Sequence, residues 1–120
     1  MHIISKILII IIALLHLYFL WLEMFAWTTA AKKVFRTIPE DLFEKTKALA
    51  ANQGLYNGFL SAGLLWSLAI SDENWSQNIA VFFLCCVAVA GIFGAYSASK
   101  KIFYVQALPA IITIILIFTI

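Results

Sequence analysis

Two residues in the first third of the chain carry groups able to hold or move a proton where water is scarce. His16 and Glu23 lie within an apolar run, Ile7 to Trp27, that is long enough to span a bilayer as a helix. Seven steps of about 100° bring a helix back to within about 20° of its starting direction, so the two share one face with Leu20 and Trp27. A carboxylate in hydrocarbon either takes up a proton or finds donors, and ionisable groups there almost always face the interior of a bundle. Other segments must therefore supply a polar lining. The stretch Asn52-Gln53-Gly54-Leu55-Tyr56-Asn57-Gly58-Phe59-Leu60-Ser61 offers one. Gln53, Asn57 and Ser61, spaced by four, form a polar stripe, and Gly54, Gly58 and Ala62 form a stripe of small residues beside it. Asn52 and Tyr56 add further polar groups. Tyr96 closes a third apolar run with a hydroxyl. Gln106, Pro109 and Thr113 share a face of the fourth, where Pro109 frees a carbonyl near Val105 and Gln106.

These residues favour binding or proton exchange over covalent chemistry. His16 and Glu23 would serve as acid and base or as two metal ligands, but no local third ligand, nucleophile motif or phosphate loop accompanies them. No cofactor or bound metal is implied. Cys85 and Cys86 are adjacent and so point about 100° apart on a helix, which suits small apolar fillers better than a disulfide or a metal pair.

The elements that must position these groups follow from composition. With 64% hydrophobic and 12% charged residues and a mean hydropathy of +1.01, the chain is far from a soluble domain. It reads as all-α, a single integral membrane four-helix bundle with spans near 3–27, 54–70, 78–96 and 102–120. The first run is longer and bulkier at its end than a signal peptide's apolar region and is read as retained. The net charge of +2 comes from loops, so nucleic-acid binding has no support.

Seven of the eight basic residues, Lys32, Lys33, Arg36, Lys45, Lys47, Lys100 and Lys101, fall in the first and third loops, against Lys6 before the first span. The positive-inside rule places those loops in the cytoplasm and both termini outside. In that orientation Glu23, Gln53, Asn57, Tyr96 and Gln106 meet at one depth, outlining a pocket in the inner leaflet, with His16 about two turns deeper. In the first loop, Thr37-Ile38-Pro39-Glu40 predicts a helix start with Thr37 as N-cap. Leu42, Phe43, Thr46, Leu49 and Ala50 then form the apolar face of a short amphipathic helix able to rest on the inner membrane surface.

Across nearly its whole length the sequence resembles the small membrane proteins of bacteria grouped as domain of unknown function 1304. The resemblance is carried by His16 with Glu23-Met24-Phe25, by Asn52-Gln53-Gly54-Leu55-Tyr56-Asn57-Gly58, by Ala90-Gly91-Ile92-Phe93-Gly94-Ala95 and by Gln106-Ala107-Leu108-Pro109-Ala110. It implies a multi-pass protein of the bacterial cytoplasmic membrane and no particular activity. The leading functional expectation is binding or transport of a small cationic or amphipathic molecule at Glu23, within a lipid bilayer. The alternatives are a structural or accessory subunit and, last, an enzyme acting on a lipid-like substrate. Gly54, Gly58 and the glycines of the third span are expected to be available for contact with a second copy in a homo-oligomer.

Overall fold

The computed structural model describes residues 1–120 and contains helices and turns, with no strand. Its elements are α1 (Ile3–Met24), α2 (Ala31–Val34), α3 (Glu40–Lys45), α4 (Lys47–Ala69), α5 (Glu73–Ser97), a π turn (Phe103–Ala107) and α6 (Leu108–Thr119). Two of the helices, α1 and α5, are long and apolar enough to cross a membrane. The polar residues of α4 and the shorter run of the π turn with α6 keep those two segments below that standard.

The chain divides into two compact units. One comprises Met1–Ala13 with Leu60–Ile120. Its core joins Ile9, Ile12 and Ala13 to Leu64, Ala80, Leu84, Val87, Ala110 and Ile117. Hydroxyls tie the helices where side chains are small: Ser61 donates to the carbonyl of Ala13 at 2.9 Å and Ser76 to that of Ser67 at 2.7 Å. Asp72 caps α5 by accepting from the backbone N–H of Trp75, which satisfies one of the helix's four orphan donors. The N-terminal ammonium of Met1 donates to Glu73 at 3.0 Å.

The carbonyl expected to be freed by Pro109 lies in the π turn. Pro109 lacks the N–H that an α-helix would direct to the carbonyl of Val105, and the widened turn before it, closed by Leu108 N–H to Phe103 O, accommodates that loss. Gly91 receives this turn. A Cβ at Gly91 would stand 2.5 Å from the nitrogen and 2.9 Å from the Cβ of Ala107, so the thinning of α5 lets two backbones approach.

The other unit, Leu14–Phe59, contains the second half of α1, the first loop and the first half of α4. Leu22, Ala31 and Phe43 are buried together, with Phe19, Trp27, Phe35 and Ile38 packed around them. Trp27 does not continue the His16 and Glu23 face, because α1 ends at Met24. Its indole N–H instead donates to Thr46 Oγ1 at 3.0 Å, and its ring lies 5.0 Å from that of Phe43. The amphipathic helix of the first loop is shorter than expected. It starts at Glu40 with Pro39, rather than Thr37, in the capping position and no side-chain cap. Thr46 interrupts it, spending its hydroxyl on the carbonyl of Leu42. The next helix begins at once at Lys47, several residues before the expected start of the second span. Of the anticipated apolar face, Phe43 and Ala50 are buried while Leu42 and Leu49 are exposed.

Candidate functional site

Glu23 is the penultimate residue of α1 and half-buried. The last carbonyls of a helix carry the negative end of its dipole, so this carboxyl stands where positive charge is drawn in. Two small residues of α4 make room for it. At Gly54 a Cβ would meet Met24 Cγ at 2.7 Å, Glu23 Cβ at 3.0 Å and the Leu20 carbonyl at 3.2 Å, and at Gly58 it would meet Leu20 Cδ1 at 2.7 Å. Close approach of the two backbones brings Asn57, half-buried one turn along from Gly54, within reach. Its Nδ2–H donates to Glu23 Oε1 at 2.6 Å. An ionised carboxylate offers about four acceptor positions, and this amide fills one. None of the chain's three ion pairs includes Glu23. The carboxyl is thus fixed by a neutral donor, leaving capacity for a proton or a cation.

The remaining predicted site residues are distributed differently. His16, in the same unit, is 1% exposed and meets Phe19 edge-on at 5.6 Å. Asn52 and Gln53 are exposed on the first turns of α4. Tyr56 is exposed and its ring lies 6.1 Å from that of Phe59. In the first unit, Tyr96 is 89% exposed at the end of α5, and Gln106 is half-buried within the π turn. Two shallow surface hollows run along the exposed apolar side of α5, past Phe82, Val89 and Phe93; neither includes Glu23. Cys85 lies in one of them and is exposed, and both cysteines are free thiols, so Cys85 fills no interior space.

Sequence reasoning missed Thr46 as a structural partner. The signal was present in Trp27, whose indole N–H requires an acceptor once the ring is partly buried. The only signal of the π turn was Pro109 and the carbonyl that it frees near Val105 and Gln106.

A model of the family described as protein of unknown function (DUF1304) matches residues 10–118. The chain belongs to this family. The matched region takes in Glu23, Asn57, the first loop and the π turn. The uncharacterized protein YpaA of Lactococcus lactis subsp. lactis (strain IL1403) is 30% identical over 117 residues, covering 96% of this chain and 97% of that protein. No solved structure matches the chain.

Proposed function

We propose that this DUF1304 protein is a multi-pass protein of the bacterial cytoplasmic membrane, in which Glu23, oriented by Asn57, binds a small cationic or amphipathic molecule in exchange for a proton. In this reading α1, α4, α5 and the π turn with α6 each cross the bilayer as a four-helix bundle. The first and third loops face the cytoplasm, and both termini lie outside. The observation that carries it is the carboxyl at the end of an apolar helix, bonded to one amide and to no cation. Such a group holds a proton when the site is empty and releases it when a cation supplies the charge. His16, Asn52, Gln53 and Tyr56, which belong to the same unit as Glu23, would line the path or the ligand's polar end.

Support for the membrane reading comes from the surface as well as from α1 and α5. Ile4, Ile7, Ile11, Leu14, Tyr18 and Trp21 are all exposed along one side of α1, and Phe25 just beyond its end is exposed too, a run of large apolar side chains that a soluble monomer rarely leaves uncovered. A second reading, a structural or accessory subunit, is favoured by Ser61 and Asn57, whose bonds to α1 tie helices together. The two readings separate on Glu23→Gln, which keeps shape and bonding capacity while removing the charge. Reconstituted wild-type protein should bind or take up a lipophilic cation such as tetraphenylphosphonium with a dependence on pH between 5 and 9. The glutamine form should fold and lose that activity. Equal uptake by both forms, with one pH profile, would remove the transport reading.

A further inference from the structure

The first loop is built rather than slack. Trp27, Phe35 and Phe43 pack against buried Leu22 and Ala31. Successive backbone bonds, Ala31 N–H to Ala26 O, Lys33 N–H to Ala30 O and Phe35 N–H to Ala31 O, hold the chain between α1 and α3. This scaffold sorts its charges. Lys32 pairs with Glu40 at 3.5 Å and Lys45 with Asp41 at 3.6 Å, so two of the segment's three carboxylates are already engaged. Lys33 and Arg36 make no ion pair. Instead Arg36 Nε–H donates to the carbonyl of Lys33 at 3.0 Å, which draws the guanidinium back over the turn that carries the Lys33 ammonium. Two cations are thereby held on one turn with no counter-charge. Val34, next to Lys33 in the chain, is exposed, and so, at 72%, is Phe25 at the start of the same loop.

From this arrangement we infer that Lys33 and Arg36 form a recognition surface for the anionic headgroup of a membrane phospholipid, with Phe25 and Val34 inserted among the adjoining acyl chains. The inference rests on the membrane reading above, since it is the end of α1 at Met24 that brings the loop to headgroup level. A guanidinium pinned through Nε keeps its two Nη groups for paired bonds to phosphate oxygens, and the neighbouring ammonium adds a point charge. A preference for cations in cytoplasmic loops accounts for the number of basic residues here. It does not account for a fold that neutralises Lys32 and Lys45 within the loop while Arg36, bonded to the Lys33 carbonyl, and Lys33 itself keep no counter-charge.

The test uses the full chain purified in a mild detergent, with phosphatidylglycerol and phosphatidylcholine of matched acyl chains, bound lipid being counted by native mass spectrometry. Wild-type protein should select phosphatidylglycerol. Lys33→Gln, which leaves the Arg36 bond intact, should weaken that selection about fivefold, and the Lys33→Gln/Arg36→Gln double variant should weaken it by about that factor again. Lys100→Gln/Lys101→Gln, which removes the other basic pair, should leave it unchanged. Equal selection by wild type and the double variant would overturn the assignment, as would equal loss from the Lys100/Lys101 variant. Full displacement of the lipid by millimolar inorganic phosphate would overturn it in favour of a free-phosphate site. Alkaline carbonate extraction of native membranes separates the two levels. Release of the chain would defeat the membrane reading itself, whereas retention without headgroup selection would defeat only this inference.

Discussion

The bond between Asn57 and Glu23 can be weighed by a double-mutant cycle, using Asn57→Leu to remove the donor and Glu23→Met to remove the acceptor with little change of shape. At 2.6 Å the contact is short enough for a charge-assisted bond. A hydrogen bond to a charged group contributes about 1.5–3 kcal/mol, whereas interhelical polar pairs in a membrane protein average about 0.6 kcal/mol. The coupling energy therefore reports the charge on the carboxyl. If Glu23 exchanges its proton in use, coupling measured by reversible unfolding in one detergent should rise from about 0.6 kcal/mol at the acid end of pH 5–9 to at least about 1.5 kcal/mol at the alkaline end. A coupling constant across that range would mean that the carboxyl does not titrate there and would refute proton exchange. Coupling near zero at every pH would mean that the bond is not made.

Gly91→Ala should destabilise the protein by about 1–3 kcal/mol, because the added carbon meets backbone of Ala107, which cannot move aside cheaply. Gly58→Ala meets only the mobile end of Leu20 and gains up to about 1 kcal/mol of helix propensity, so its thermal midpoint should match or exceed wild type; the reverse order would refute this packing. Thr46→Val should cost about 1–3 kcal/mol by leaving the Trp27 indole unpaired, and Trp27→Phe in that background should cost less than it does in wild type, as thermal unfolding would show. In a cysteine-free background in intact cells, an impermeant thiol reagent should label Asn74→Cys and spare Lys33→Cys; the opposite pattern would invert the proposed topology.

Where the sequence exposed this architecture, it did so through spacing. Gly54, Asn57, Gly58 and Ser61 fall on adjoining helical stripes, so both the close approach of α4 to α1 and the donor for Glu23 were legible. The same glycines prove to be filled from within the chain: Gly54 and Gly58 by residues of α1, Gly91 by Ala107 and Gly94 by Ile102. Small-residue spacing is identical for contacts within and between chains, so spacing alone could not assign these glycines to α1, Ala107 and Ile102. Periodicity also overran real helix ends. Leu42 to Ala50 keeps a helical pattern through Thr46, yet the Thr46 hydroxyl bonds both Leu42 and Trp27, a tertiary demand that no local pattern encodes. Pro109 marked a break, but whether a kink or a wider turn would result depended on the space left by Gly91.

The pairing of Trp27 with Thr46 also bears on how the chain assembles. Its partners are 19 residues apart, those of the Glu23 and Asn57 bond 34 apart, and those of the Met1 and Glu73 contact 72 apart. Closing a longer loop costs more entropy, and local contacts form sooner. As the chain emerges during synthesis, the aromatic cluster of the first loop can close while the second half of α4 is still being made. Asn57 would then arrive at a carboxyl already held at the rim of a finished platform, and the amino terminus would be fastened to α5 only afterwards.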